Sequence, residues 1–191
     1  MNLCDRLPRQ QLFTVTDSNL LLDGSAPATP QSIIDSLTAI GVKNHTHNHA
    51  PVFTVEEAKS LRGELPGAHI KNLFLRNKRG GMWILTCLED RTLDLKTFAV
   101  RLGSGRLSFG SSQRLMSYLG VIPGAVTPLA VINDRSGAVN VVLDRALMDA
   151  STINVHPLTN SQTTAITPAG LLAFLNAVDH APTIMDLDDD G

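Results

Sequence analysis

Lys71-Asn-Leu-Phe-Leu-Arg76, Asn77-Lys-Arg-Gly-Gly81 and Met82-Trp-Ile-Leu-Thr-Cys-Leu88 follow one another as two apolar runs of strand length joined by a five-residue connection that ends in two glycines. That spacing predicts an antiparallel hairpin. With His69 and Ile70 in front, the first run carries a lysine and an asparagine at the mouth of an otherwise apolar strand. A cation fixed by a rigid strand suits an anion or a developing oxyanion. It can also be a surface lysine whose stem covers apolar neighbours while its ammonium stays in water.

Working outward, Thr29 before Pro30 reads as an N-cap with proline at the first helical position. Ile33, Ile34, Leu37 and Ile40 then make one apolar face that Gly41 ends. His45-Thr-His-Asn-His-Ala-Pro51 leads to Thr54-Val-Glu-Glu57, a capping box that predicts a helix through Leu61. Downstream, 94–102 and 111–119 are expected as helices, each with a capping residue at its start and glycine after its end. A second hairpin is expected from 129–132 and 139–143 across Asn133-Asp-Arg-Ser-Gly137. After a short helix, 153–155 is a strand candidate, and Thr167-Pro168 opens a last helix through Ala177. Strands and helices mix without a regular alternation, so the expected class is α+β, a single domain with a mixed, mostly antiparallel sheet flanked by helices.

The chain has 191 residues, 43% of them apolar, enough for one sizeable core. The expected division is an N-terminal extension at 1–28, one domain at 29–186 and an acidic tail at 187–191. A formal charge of −2 and a pI near 6.3 argue against a large basic surface gripping nucleic acid, and DNA is not an expected partner. Cys4 and Cys87 are too few for a disulfide framework, and Cys87 reads as a small buried hydrophobe. With no apolar run of membrane length and no signal-peptide core, the expected location is the cytoplasm.

Four separated stretches, Pro51-Val-Phe-Thr-Val-Glu-Glu57, Lys71-Asn-Leu-Phe-Leu75, Gly124-Ala-Val-Thr-Pro128 and His156-Pro-Leu-Thr-Asn160, occur in one order. Together they resemble the YbaK/ProX family of aminoacyl-tRNA deacylases, the relatives of the editing domain of bacterial prolyl-tRNA synthetases, and most of all its free-standing ProX (PrdX, ProXp-ala) branch. The likeness runs from about Ser32 to about Asp186. It implies the YbaK editing-domain fold and hydrolysis of the ester of mischarged tRNA, Ala-tRNA(Pro) first. Deacylases for Cys, Ser or Thr, and a non-catalytic protein that binds tRNA ends, are the alternatives. It implies no cofactor and no metal, tRNA as partner, and prolyl-tRNA synthetase or an elongation factor as transient ones.

The resemblance assigns Lys71 to the terminal phosphate or ester carbonyl and Asn72 to a neighbouring hydrogen bond. Gly124 lets backbone approach the ligand, with Ala125, Val126, Thr127 and Pro128 as the wall; otherwise this is an ordinary turn. His156, pushed toward extended backbone by Pro157, shapes the amino-acid pocket or is a satisfied histidine. Asn160 holds its loop, and Thr46 lies near the pocket. Arg76, Lys78 and Arg79 form either a small basic patch beside Lys71 for the acceptor end of tRNA or a solvated hairpin tip. Trp83 and Phe109 are expected in the core, with base stacking as the alternative. Alternation places His45, His47 and His49 on one face, as a zinc site would need, but no carboxylate or cysteine completes a set nearby. The Gly-x-Ser-x-Gly, Cys-x-x-Cys and triad signatures are missing, which agrees with a hydrolase that positions water and stabilises an oxyanion without a protein nucleophile. The free hydroxyl of the terminal ribose would help position that water.

Overall fold

A computed structural model describes residues 19–51 and 65–188. Among these, eight strands form one sheet in the order β1-β7-β6-β2-β3-β5-β8, with β4 also paired to β2. The strands are β1 (His45–Asn48), β2 (Ala68–Asn77), β3 (Met82–Leu88), β4 (Leu107–Phe109), β5 (Val139–Asp144), β6 (Ile153–Val155), β7 (Gln162–Ile166) and β8 (Thr183–Met185). The helices are α1 (Pro30–Ala39), α2 (Leu95–Arg101), α3 (Ser112–Leu119) and α4 (Pro168–Ala177). The β1·β7, β2·β3, β2·β4 and β6·β7 pairs are antiparallel, while β2·β6, β3·β5 and β5·β8 are parallel. This is the expected α+β class.

The sheet is covered on both faces, which explains why β3 reads as an unbroken apolar run. Phe74, Ile84, Val141 and Leu143 enter a larger core with Ile33, Leu37, Leu129, Leu171 and Phe174. Their chain neighbours Leu75, Leu85 and Val142 enter a smaller core with Phe98 of α2 and Leu187. Each fully buried leucine or isoleucine here contributes about 1.5–3 kcal/mol.

The caps form as expected. The Thr29 side chain accepts from Ser32 N–H, and the Ser32 hydroxyl accepts from Thr29 N–H. Asp94 caps α2 through Lys96 and Thr97 N–H, and Ser111 caps α3 through Arg114 N–H. The helix expected to open at Thr54 lies outside the described residues.

The second hairpin is not there. Residues Pro128–Asn133 form a 3-10 helix capped by Thr127, and β5 lies inside the sheet, parallel to β3 and β8. Pro128 at the first helical position starts that turn, and Leu129, Ala130 and Val131 are all buried. A short, fully buried apolar run carries no period that tells strand from helix. In the described part of the N-terminal extension, Leu21 is buried and Leu22 N–H donates to Ser117 O of α3.

Candidate functional site

β2 organises the site because it changes partners along one edge. β3 runs along the other edge, while this one carries β6 at Ala68 and His69 and β4 at Leu75, Arg76 and Asn77. Between them, residues 70–73 have no strand partner on that edge among the described residues. Lys71 and Asn72 sit in this interval, and strand alternation sends them to opposite faces. Lys71 shares the face of Leu73 and Leu75, toward the smaller core, whereas Asn72 shares that of Ile70 and Phe74, toward the larger one.

Asn72 is bound to protein through both ends of its carboxamide. Its Nδ2 donates to Val126 O at 2.9 Å, and its Oδ1 accepts from the buried Thr86 hydroxyl at 2.8 Å. Through these two bonds Asn72 pins the 124–128 loop to the sheet. Gly124 is exposed at φ 89°, a left-handed backbone that favours glycine. Ala125 is buried and its N–H donates to Ile122 O at 3.0 Å, and Thr127 and Pro128 are buried. The loop enters the larger core through Ala125 and leaves Gly124 outside, so its shape is set from below.

Lys71 Nζ donates to the carbonyl of Arg91. Across β3 it faces Cys87, whose thiol burial pushes up to about 11, with the Lys71 charge acting the other way. Lys71 and the 124–128 loop approach the same interval of β2 from different faces. A cleft of about 590 Å³ adjoins the Arg91 segment, lined by His69, Glu89, Thr92 and Asp188 among others.

The β1, β6 and β7 side supplies the other expected residues. The Thr46 and Thr164 hydroxyls are 2.9 Å apart across the β1·β7 pair. His156 follows β6, and its Nδ1 lies 2.9 Å from Gln162 O. A carbonyl only accepts, so this contact assigns the proton to Nδ1 and leaves the lone pair of the neutral ring on Nε2. By the same reasoning His49 Nδ1 donates to Ala50 O at 2.8 Å, and its Nε2 accepts from the Thr163 hydroxyl at 2.9 Å. The His49 and His156 rings stand 6.4 Å apart. Between His156 and the buried Asn160, Leu158 holds a left-handed φ of 65°. His156 and His49 thus stand together just past the ends of β6 and β1.

Two expectations change. The hairpin tip with Lys78 and Arg79 lies at the far end of β2, about 23 Å from Lys71 at roughly 3.3 Å per residue, so Arg76, Lys78 and Arg79 make no patch beside it. Phe109 is not core: it is 61% exposed on β4, next to the partner of Arg76, while Trp83 packs on the smaller core. The His45 and His47 rings contact each other edge to face at 4.4 Å, and among the described residues no three His, Cys, Asp or Glu groups converge as metal ligands.

Sequence reasoning missed Arg91 and Asp144. Arg91 Nε approaches Asp144 Oδ2 to 2.5 Å, and its NH1 reaches Asp188 Oδ1 at 2.6 Å. Hydrogen bonding to Asp188 holds the guanidinium above its ordinary range. The available signal was a carboxylate closing the apolar strand Val139-Asn-Val-Val-Leu-Asp144. A charge at that place needs a partner.

Residues 49–174 match the model of the aminoacyl-tRNA editing domain family. Prolyl-tRNA synthetase associated domain-containing protein 1 of Bos taurus is 38% identical over 157 residues, 80% of this chain and 91% of that protein. Prolyl-tRNA editing protein ProX of Acetoanaerobium sticklandii is 37% identical over 148 residues, 77% of this chain and 90% of that one. A crystal structure described as a candidate trans-editing enzyme for prolyl tRNA synthetase has the same fold, with a TM-score of 0.63 at 18% identity over 86% of this chain and 99% of its own. No helix among the described residues is long and apolar enough to cross a membrane. With its motifs inside the matched span and relatives covered almost from end to end, the chain belongs to the YbaK/ProX family of aminoacyl-tRNA editing domains.

Proposed function

We propose that this protein is a trans-acting deacylase that hydrolyses the ester of mischarged tRNA, with Ala-tRNA(Pro) as its preferred substrate. The observation that supports it most is the pinning of the 124–128 loop by Asn72, inside a span that matches editing domains. A filter of amino-acid size needs a wall that does not yield, and this loop is tied to the sheet at Val126 and anchored in the core at Ala125. A synthetase pocket built for proline excludes alanine by only about 1–3 kcal/mol, so a second, smaller pocket is the physical remedy.

In this reading the ester lies over the open interval of β2. Water adds to the ester carbonyl carbon, the bond to the ribose oxygen breaks, that oxygen takes a proton, and the free amino acid leaves. Lys71 has donors beyond the one given to Arg91 O, and these stabilise the oxyanion or the terminal phosphate. His156 shapes the amino-acid pocket with Thr46, and the free ribose hydroxyl orients the water. Arg76, Lys78 and Arg79, with Phe109, meet tRNA away from the ester.

Multiple-turnover hydrolysis of Ala-, Pro-, Ser- and Cys-tRNA(Pro), with Lys71→Ala as control, tests this. Rapid loss of alanine with proline spared, abolished in the variant, is the expected result. Survival of every ester would overturn the catalytic reading, and cleavage of a different ester would overturn the choice of substrate.

A further inference from the structure

The smaller-core face of the sheet carries a row of three residues from three neighbouring strands. Lys71 pairs with Cys87, and the β3·β5 register, Thr86 to Leu143, sets Cys87 beside Asp144. Lys71 and Asp144 share this face with Leu75 and Val142 respectively, at the two ends of the row. Two strand spacings separate them by about 10 Å, too far for a direct ion pair. Arg91 spans the gap over the small Cys87 side chain: its carbonyl accepts from Lys71 Nζ, and its guanidinium meets Asp144.

We propose that the Arg91–Asp144 pair is the positioning element for Lys71, holding the carbonyl that fixes the place of its ammonium. Asp144 has no exposed side-chain surface and Arg91 only 14%. The two facing atoms, 2.5 Å apart, lie off the line of a hydrogen bond, so the pair is held by charge, which burial leaves unscreened. Asp144 also caps the next turn by accepting from Ala146 N–H at 3.2 Å, which fixes the carboxylate itself. Asp188, 75% exposed, adds an outer contact to the same guanidinium. A side chain on a strand is free to swing along its length; a carbonyl tied through a buried pair to another strand removes that freedom. The catalytic part of this inference rests on the proposed role of Lys71, while the positioning part stands on the geometry alone.

The test has two readouts. In protein labelled with 15N-lysine, the chain's five lysines give few enough ammonium resonances to assign Lys71 by its loss in Lys71→Ala. Wild type is expected to show a slowly exchanging Lys71 ammonium, and Arg91→Lys and Asp144→Asn to lose it. In steady-state hydrolysis of Ala-tRNA(Pro), both are expected to lower kcat by about 10–100-fold with KM within about threefold, because they misplace a group without removing it. Asp188→Asn is expected to stay near wild type. Arg91→Lys keeps a charge against Asp144, its added sixth lysine being told from Lys71 by repeating Arg91→Lys in the Lys71→Ala background, and decides the matter should Asp144→Asn fail to fold. A protected Lys71 resonance and unchanged kcat in folded Arg91→Lys would overturn the proposal, as would absence of that resonance from wild type. An active Lys71→Ala protein would instead sink the functional reading of Lys71, and the resonance would still decide whether Arg91 positions it.

Discussion

Replacing Asn72 by alanine removes one carboxamide that joins two otherwise separate parts of the protein, the 124–128 loop and the β3 strand. The Val126 carbonyl loses its donor, but Val126 is only half-buried and water can take the place; the net loss is about 1 kcal/mol. Thr86 is fully buried, so its stranded hydroxyl costs about 1–3 kcal/mol. The single variant should therefore be destabilised by about 2–4 kcal/mol. Thr86→Val removes the buried hydroxyl together with its need for a partner and should cost about 1 kcal/mol. In the double variant no buried hydroxyl remains unpaired, so its cost should fall short of the sum of the singles by about 1–2 kcal/mol. Urea unfolding of the four proteins, with equal slopes required before midpoints are compared, measures this. Strict additivity, or an Asn72→Ala protein as stable as wild type, would refute the pinning argument and with it the rigid wall.

Other consequences are more local. Gly124→Ala places a side chain at φ 89° and should cost about 1–2 kcal/mol in urea unfolding while lowering turnover, since the exposed position lets the strain bend the loop. Asp134 is buried, which raises its pKa, but hydrogen bonds from Ser136, Val139 N–H and His180 outweigh this and hold it below 3.8. A depressed carboxylate contributes stability above its unfolded pKa and loses it as pH falls through the folded value. Asp134→Asn should thus cost about 1.5–3 kcal/mol at pH 7, with the gap to wild type closing only below pH 3.8. Cys87, with no exposed surface and a thiol pushed to about 11, should resist a thiol reagent at pH 8 in a Cys4→Ser background until urea unfolds the chain; fast labelling under native conditions would contradict its burial.

Where a residue's role is local, the sequence carried it. Thr29, Asp94 and Ser111 were readable as caps because capping chemistry is confined to four successive residues. The β2·β3 hairpin was readable because its connection is short and its runs are apolar. The polar strands His45–Asn48 and Gln162–Ile166 were harder: histidine, asparagine and glutamine suit loops, and it is the pairing of β1 with β7 and of β7 with β6 that makes them strands. The 3-10 helix at Pro128–Asn133 was misread because burial on all sides erases the pattern. In the site, Lys71 and the 124–128 loop were identified by motif, but their geometry was not. Arg91 and Asp144 meet only because β5 lies parallel beside β3, a pairing no local signal announces.

Period two, applied to β2 once it is a strand, carries the deeper consequence for mechanism. Lys71 and Asn72 are chain neighbours, so a motif reading treats them as one functional unit, yet the pleat sends them to opposite faces. On one side stands a charge tied through Arg91 to a buried carboxylate; on the other an uncharged amide sets the shape of a loop. Charge acts most on a transition state that develops charge, so loss of Lys71 should appear in kcat for every accepted ester. Shape acts on which amino acid fits, so loosening the loop through Asn72 should change the ratio between alanine and proline esters more than the rate for alanine itself. If Asn72→Ala lowered both esters equally, shape and charge would not be separated across the strand, and the division of labour drawn from the pleat would fail.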